Sequence, residues 1–388
     1  MTGRGTRIGV GLSNADDAVE AGRAAAAVAV AALDGSPVDL ALVFISAYHL
    51  KSAAAAAAAV RADLNPRCFV GCVAEGVLGG SRELEDGAGV AVWVAALPGA
   101  EIEVFHAESV QTEDGVVISG FPELGDPSLV ALLVDPFTFP ADAFLDGLNQ
   151  EYPGLPVVGG LAAGGRRPGA QALFVGGETY RYGAVGAIVS GIPVRTVVSQ
   201  GCLPIGHDLV VTHAEGNVVY ELAGRPALER LREQVERLAE AEQQQALRGL
   251  MVGLVIDENT PDYMRGDYLI RSLLGGDEES GALVLGAAVR PGQTLRFHIR
   301  DASTAGDDLR QALATALEGT DPAGALLFTC NGRGAAMFGR PDHDAELVTG
   351  ALAGAAVAGF FCGGEIGPVG SQAFLHGFTA TLAVFLRS

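Results

Sequence analysis

Strand-like and helix-like patterns of apolar residues alternate at the start of the chain. Short runs rich in Val, Ile and Leu are separated by longer stretches rich in alanine. Alanine has the highest helix propensity, and Asn14 stands where it can cap the first of these stretches. The pattern predicts strands at Arg7–Leu12, Val38–Ser46 and Arg67–Ala74, with helices at 15–33 and 53–59 between them.

A second pattern begins near residue 88 and recurs near residue 281. In each place an apolar run leads to a Pro-Gly pair, Pro98-Gly99 or Pro291-Gly292. The run that follows each pair alternates apolar and polar residues, as on a half-buried sheet. Because Pro-Gly between two β-rich runs is a turn signal, both places predict a β-hairpin.

The two stretches stay parallel to their ends. Each continues with a buried strand, a helix, a strand that ends in glycine and a long closing strand. These elements are 129–134, 140–151, 156–161 and 182–190 in the first stretch, and 325–329, 344–353, 356–361 and 374–386 in the second. We therefore predict an α/β fold (α+β with mixed sheets) that contains a duplicated β-hairpin–α–β–α–β–β unit at about 88–191 and 281–388.

The segment between the two copies carries a cation in an apolar setting. We predict a short buried helix over Asp267–Leu274, which ends at Gly275-Gly276 and includes Arg271. A charged side chain in such a helix needs a partner. That partner is either a ligand or an internal carboxylate, and the sequence leaves both open.

Three glycine-rich turns share one frame, a glycine followed by four residues and a second glycine. They are Gly71–Gly76, Gly159–Gly164 and Gly359–Gly364, and each follows a β-rich apolar run. Glycine lets backbone N–H groups approach a ligand closely. We predict that the three turns help to line one ligand site, with these candidate residues: Gly71, Cys72, Gly160, Cys362 and Gly364.

Composition limits the classes of partner. The chain has 388 residues and a net charge of −21, which argues against a nucleic-acid backbone or an anionic membrane as partner. Its apolar runs are too short to span a bilayer. Five scattered cysteines do not form a disulfide framework, and we expect a cytoplasmic protein.

The second half of the chain holds the best candidate chemistry. Cys330-Asn-Gly-Arg-Gly334 follows a predicted strand, where Gly332 permits a sharp turn and Arg333 can clamp a carboxylate or phosphate. Glu365 follows the third glycine turn and can take a ligand ammonium group. Arg333 with Glu365 would suit a zwitterion, or the two would bind only each other as a buried salt bridge.

Enzymatic chemistry has weaker support. Cys330 or Cys362 could act as a nucleophile, with His298, His343 or His376 as partner, but no recognised spacing joins a thiol to a histidine. No pair of cysteines or of cysteine and histidine has zinc-ligand spacing. We also expect His376, placed in the last strand beside Gly377, to face the glycine turn as a pocket residue.

The motifs in this order resemble the FIST family. In the first half the resemblance is carried by Gly71-Cys72, Gly159-Gly-Leu-Ala162, Gly183-Ala-Val-Gly186, Ser199-Gln-Gly-Cys-Leu-Pro-Ile-Gly206 and Glu221-Leu-Ala-Gly-Arg-Pro-Ala-Leu228. In the second half it is carried by Tyr268-Leu-Ile-Arg271, Val289-Arg-Pro-Gly-Gln293, Phe297-His-Ile-Arg-Asp301, Cys330-Asn-Gly-Arg-Gly334 and Gly364-Glu-Ile-Gly-Pro368.

The resemblance implies a sensory domain with an N-terminal and a C-terminal part, here 1–220 and 221–388. It implies a small ligand such as an amino acid, and an output through a partner protein. Some members of the family bind haem and sense nitric oxide, for which His207, His213 and His298 are candidate ligands.

The sequence departs from the family pattern at one place. The family often has Gly-Glu-Ile after the first glycine turn, whereas this chain has Gly76-Val77-Leu78 and carries its acid earlier, at Glu75. The leading hypothesis is a cytoplasmic small-ligand sensor. A cysteine–histidine enzyme is the second hypothesis, and a haem-based gas sensor is the third.

Overall fold

The computed structural model describes residues 5–112, 115–264 and 266–387. They form two compact units. The first unit combines residues up to 198 with 309–375 and residues from 379 onward, and the second combines 199–308 with 376–378. Among the described residues, none of the helices is both long and apolar enough to cross a membrane.

The first repeat of the first unit covers residues 7–96. Its opening helix begins at Ala18 rather than residue 15, because Asp17 and not Asn14 is the cap and accepts hydrogen bonds from the amides of Val19 and Glu20. The elements are β1 (Arg7–Ser13), α1 (Ala18–Ala31), β2 (Leu40–Ser46), a 3-10 turn (Ala47–His49), α2 (Ala53–Leu64), β3 (Cys68–Ala74), β4 (Val77–Gly79), β5 (Arg82–Leu84) and β6 (Val90–Ala96).

The second repeat covers residues 101–190. The Pro98-Gly99 hairpin prediction is wrong, because β6 pairs with β1 and β2 while the next strand pairs within the second sheet. The elements are β7 (Glu101–Thr112), β8 (Gly115–Ser119), β9 (Leu129–Val134), α3 (Ala141–Glu151), β10 (Val157–Leu161), β11 (Leu173–Val175), β12 (Glu178–Tyr180) and β13 (Ala184–Ser190).

The second unit is built on one seven-stranded sheet. β14 (Val194–Gln200) leads into it. Its elements are β15 (Cys202–Glu215), β16 (Val218–Leu222), β17 (Arg225–Pro226), α4 (Ala227–Glu236), α5 (Glu240–Arg248), β18 (Leu250–Val255), β19 (Tyr268–Asp277), β20 (Ala282–Leu285) and β21 (Thr294–Arg300).

Two predictions in this unit are corrected. Residues 267–274 do not form a helix: Arg271 lies in β19, which pairs with β18, because a short apolar run is ambiguous in sequence until a neighbouring strand satisfies its backbone. Pro291-Gly292 does not close a hairpin either, since β20 pairs with β16 and β19 whereas β21 pairs with β15 and β18.

The third repeat consists of β14 and residues 322–386, and α6 connects it to β21. The predicted closing strand 374–386 is two strands, with a break at Gly377 and Phe378. The elements are α6 (Ala302–Leu317), β22 (Pro322–Cys330), α7 (Ala335–Phe338), α8 (His343–Ala351), β23 (Ala356–Cys362), β24 (Glu365–Val369), β25 (Gln372–His376) and β26 (Thr379–Leu386).

The sheets of the three repeats share one topology. The strand orders are β1-β6-β2-β3-β11-β12, β8-β7-β13-β9-β10-β24-β25 and β14-β26-β22-β23-β4-β5. Each sheet thus has a parallel central pair and ends in a hairpin that another repeat supplies. The mixed-sheet α+β fold is confirmed, and the correspondence between the two predicted copies extends to a third one in residues 7–96.

The three glycine frames are structurally equivalent. Gly71, Gly159 and Gly359 pair in register with Val43, Leu132 and Leu327 on the neighbouring parallel strand. A Cβ atom at these glycines would lie 2.3, 1.8 and 1.6 Å from the carbonyl oxygens of those partners. Only glycine fits there, which explains why the frame recurs in the sequence.

One apolar core is shared by the three sheets. Its aromatic centre joins Phe44 of β2 to Phe328 and Phe360 of the third repeat, with ring centroids 5.3–6.4 Å apart. Trp93 packs on Phe385 at 5.1 Å. Because the parallel pairs enter this core side by side, the turns that follow them come together beyond it.

Candidate functional site

The loop after β22 folds sharply over the end of its strand. The amide of Arg333 donates to the carbonyl oxygen of Cys330 at 2.8 Å, and the amide of Asn331 donates to the carbonyl oxygen of Cys362 at 2.9 Å. The loop therefore ties the carboxyl ends of β22 and β23 together. Ligands of open α/β sheets bind at such strand ends.

Arg333 is completely buried and forms a two-pronged ion pair with Asp344 on the first turn of α8. Its Nε lies 2.8 Å from Oδ2 and its Nη2 3.0 Å from Oδ1 of Asp344. Thr329 donates to Oδ2 at 2.7 Å, and the Nδ1 atom of His343 lies 2.9 Å from Oδ1. The His343 ring stacks on Phe338 with centroids 3.5 Å apart.

The pair stays charged despite its burial. Burial by itself raises the pKa of Asp344, but the charge of Arg333 and hydrogen bonds from His343, Arg333 and Thr329 hold that pKa well below its usual range. Burial lowers the pKa of Arg333, and Asp344 more than offsets this effect. The Nη1 atom of Arg333 is buried and has no hydrogen-bond partner among the described residues.

Glu365 opens β24 and is also completely buried. Its Oε2 accepts hydrogen bonds from the amide of Thr379 at 3.1 Å and from the Thr379 hydroxyl at 2.9 Å. Its Oε1 has no partner among the described residues. Burial raises the pKa of Glu365 to about 8, against the opposing effects of Thr379, the Cys330 thiol and the charge of Arg333.

Arg333 has a partner that sequence reasoning did not offer, since the sequence left open a zwitterionic ligand or a salt bridge with Glu365. Its ion pair is with Asp344 and not with Glu365. Sequence reasoning missed Asp344, although its place on the first turn of a predicted helix next to His343 was a usable signal. Arg333 and Glu365 therefore each keep one buried polar atom unpaired, close enough for each charge to act on the other.

The glycine turns contact one another, as the shared frame indicated. The amide of Phe361 donates to the carbonyl oxygen of Gly76 at 3.0 Å, and the amide of Leu161 donates to that of Gly364 at 2.8 Å. Gly160 lies so near Cys362 that a Cβ atom would meet its Sγ at 2.3 Å. The structure thus brings the three turns together, and their contact with a ligand remains a prediction.

The displaced acid of the first turn reaches the same loop. Glu75 accepts a hydrogen bond at 2.7 Å from the side-chain amide of Asn331. Glu85, at the end of the β4–β5 hairpin, accepts one from the backbone amide of Ala335 at 2.8 Å. Sequence reasoning missed Glu85, since only the hairpin exchange between repeats brings it to this loop.

Two of the candidate thiols, Cys72 and Cys362, lie in surroundings that disfavour the thiolate. Cys330 and Cys362 are register partners on adjacent parallel strands. Burial raises the pKa of Cys362 well above its usual value and also raises that of Cys72. A thiolate is the reactive form, so these surroundings do not favour the cysteine-enzyme hypothesis for Cys362.

The remaining candidates belong to the second unit. Arg271 donates from Nη1 to the carbonyl oxygen of Ile270 at 3.1 Å, and His376 is buried at the end of β25. Their roles as ligand contacts remain predictions.

The three candidate haem ligands, also in the second unit, all contact neighbours. The side-chain amide of Gln234 lies 3.2 Å from ring nitrogens of His207, and His213 stacks on Tyr220 with centroids 4.8 Å apart. Nδ1 of His298 lies 3.0 Å from the carbonyl oxygen of Arg296, and burial lowers the pKa of His298 to about 4. These contacts favour structural roles for the three rings.

Comparison with known proteins places most of the chain in described domain families. Residues 39–225 match the FIST N domain and residues 227–368 match the FIST C domain. An uncharacterised protein of Mycobacterium tuberculosis is 46% identical over 384 residues, which cover 98% of this chain and 100% of that protein. An uncharacterised protein of Mycobacterium bovis is 42% identical over 384 residues, covering 98% and 99% respectively.

Proposed function

This chain belongs to the FIST family, and from that premise we propose that it is a sensor that binds a small polar metabolite such as an amino acid. FIST domains are sensory and signal-transduction domains. The proposal places the ligand at the carboxyl ends of β22 and β23 and the output in a partner protein. It also places the protein in the cytoplasm, which agrees with five free cysteines.

One observation carries the proposal. Nη1 of Arg333 and Oε1 of Glu365 are buried at the same strand ends and lack hydrogen-bond partners among the described residues. A buried polar group without a partner costs about 1–3 kcal/mol. A guanidinium donor beside a carboxyl acceptor complements a molecule that carries an oxygen acceptor and an ammonium group, so a bound ligand removes both penalties together.

The same contacts give binding a route to the rest of the first unit. Glu365 holds the start of β26 through Thr379, and Arg333 holds the first turn of α8 through Asp344. A ligand that engages both side chains favours one arrangement of these elements over others. Ligands shift such equilibria by their difference in affinity for the two states.

A thermal-shift screen of amino acids and related metabolites, followed by calorimetry on each hit, tests the proposal. The site variant is Glu365→Gln, which preserves shape but removes the negative charge that would pair with an ammonium group. The matched control is Glu83→Gln, because Glu83 is also buried, has a pKa raised by burial to about 8, and accepts a hydrogen bond from the amide of Ala345 in α8 rather than from the loop 330–334. We expect a hit to bind the control like the wild type and to bind Glu365→Gln at least about tenfold more weakly.

Two results would contradict the proposal. The first is a screen in which no compound stabilises the wild type. The second is a hit that stabilises Glu365→Gln as strongly as it stabilises the wild type.

A further inference from the structure

We propose that the ligand of this site is a small organic cation, an amine whose neighbouring oxygen atom is uncharged, rather than a zwitterionic amino acid. This inference rests on the proposed function and narrows its ligand class. It follows from the charges that surround the loop 330–334 and from the groups that remain unpaired there.

Carboxylates outnumber cations at the loop. Glu75 accepts a hydrogen bond from Asn331, and Glu85 accepts one from Ala335. Asp344 pairs with Arg333, and Glu365 accepts a hydrogen bond from the Cys330 thiol. Among the described residues, the contacts at this loop include these four carboxyl groups but one guanidinium group, that of Arg333. The surroundings thus already hold more carboxyl groups than cations, and a ligand that brings a cation without an anion adds no further negative charge to them.

The positive charge of Arg333 is already matched. Asp344 takes two of its nitrogen atoms, and both groups are fully buried. What remains is the Nη1 group, which offers N–H donors and needs only an oxygen acceptor. A hydroxyl or carbonyl oxygen satisfies it. A ligand carboxylate would add a further anion beside Asp344 and Glu365, which is unfavourable at short range in a site of low polarity.

Glu365 supplies the complementary evidence for a cation. Its Oε1 is buried and has no partner within the described part of the chain, and the groups that act on this carboxyl are Arg333, Cys330 and Thr379. Cys362 also lies within the range of its charge. Because burial raises the pKa of Glu365 to about 8, this carboxyl group holds a proton at neutral pH. A ligand ammonium group replaces that proton, and the proton leaves to the solvent.

The experiment uses matched probes on the full chain. For each of several side chains, isothermal titration at pH 8.0 compares three molecules: the amino acid, the amino alcohol in which a hydroxymethyl group replaces the carboxylate, and the acid that lacks the amine. The amino alcohol keeps the ammonium group and an oxygen acceptor while it removes the negative charge. We expect it to bind about tenfold more tightly than its amino acid, and we expect the acid not to bind.

The pH dependence gives a second, independent readout. Because one proton must leave Glu365, affinity for the amino alcohol should rise by about tenfold per pH unit below the pKa of this carboxyl and level off above it. Glu365→Gln should bind more weakly and lose this dependence, whereas Glu83→Gln should keep it. A purely structural role for Glu365 would not produce such a profile.

The possible outcomes separate this inference from the proposed function. Amino acids that bind as tightly as their amino alcohols, or acids that bind without an amine, would overturn the cation assignment while leaving a small-ligand sensor in place. Tight binding that Glu365→Gln does not weaken would overturn both. Failure of every probe and every metabolite in the screen would overturn the proposed function itself.

Discussion

The second and third repeats share a backbone frame but end their parallel strands in different ways. Leu132 and Leu327 are the register partners of the frame glycines Gly159 and Gly359. Thr138 follows Leu132 at the same distance in sequence as Arg333 follows Leu327, so the two residues are equivalent. Thr138 donates to Asp135 at 2.6 Å and accepts from the amide of Gly183 at 2.9 Å. Gly165 occupies the place of Glu365. The second repeat therefore ends in a turn whose polar groups satisfy one another.

The third repeat carries more polar groups than its turn needs. Arg333 and Glu365 each keep, in a fully buried position, one atom that no other described residue pairs with. In the first repeat the equivalent places hold His49 and Val77, so that turn has no such pair of opposite charges. All three repeats share the glycines, whereas Arg333 and Glu365 occur together in the third repeat. A binding site added to a general scaffold is expected to show this difference.

The largest expected effect is on the Arg333–Asp344 pair. Arg333→Met leaves a carboxylate buried without its partner and should lower the free energy of unfolding by about 3–5 kcal/mol. Thr138→Val, at the equivalent place in the second repeat, should lose only about 1 kcal/mol. Urea unfolding followed by circular dichroism measures both, and equal losses would break the comparison. Adding Asp344→Leu to Arg333→Met should restore part of the loss, because a buried pair tolerates apolar replacement.

The equivalence of the frames is tested at their first glycines. Gly159→Ala and Gly359→Ala place a methyl group against a backbone oxygen of the neighbouring strand, 1.8 and 1.6 Å away before any relaxation. Overpacking of this kind costs about 1–3 kcal/mol, and we expect similar losses at the two sites. Gly125→Ala is the control, since a Cβ atom there meets nothing within 4 Å. A neutral result at either frame glycine would show that the frames are not equivalent.

The pH dependence of stability tests the buried carboxyl of the third repeat, Glu365. The pKa of Glu365 rises from 4.5 in the unfolded chain to about 8 in the folded protein, so only the folded state holds this proton between those values. The stabilisation that this proton gives the folded state is complete at pH values below the unfolded pKa, falls as pH rises, and is lost above the folded pKa. Between pH 6 and pH 8 the wild type should lose about 2 kcal/mol through this carboxyl.

Unfolding curves across that pH range check the prediction. Glu365→Gln should remove this part of the slope, and Glu83→Gln should remove a second part, because burial raises the pKa of Glu83 to about 8 as well. A wild-type slope that survives unchanged in Glu365→Gln would show that this carboxyl does not titrate as described.

The smallest effect is expected at the thiols. Cys72 and Cys362 are buried and their pKa values are raised, so iodoacetamide at neutral pH should not modify them in the folded protein. Mass spectrometry of peptides from folded and urea-unfolded samples measures the difference. Rapid modification of Cys362 in the folded state would reopen the enzyme hypothesis.

The sequence was informative where local pattern decides the outcome. The strand at 67–74, the helix that begins at residue 53 and the three glycine frames could all be predicted, because residue composition, side-chain pattern and close backbone approach leave local signals. Arg271 was assigned to the wrong element, since a short apolar run fits a helix or a strand equally well. The two Pro-Gly turns were real, but a turn does not tell which sheet each strand joins.

The site was only partly predictable for a related reason. Cys330, Arg333 and Glu365 stand in recognisable motifs. Glu75 and Glu85, in contrast, reach the loop from about 250 positions away through a hairpin that pairs with another repeat's sheet. No local pattern encodes an exchange of this kind. The ion-pair partner of Arg333, Asp344, was missed because only packing brings these two side chains together.

The most direct test of the central claim is hydrogen exchange measured by mass spectrometry, with and without a hit from the screen. The account predicts ligand-induced protection in peptides that contain 330–334 and 362–366, and no protection in the equivalent peptides that contain 135–138 and 161–166. Protection of the second repeat's turns, with the third repeat unchanged, would contradict it.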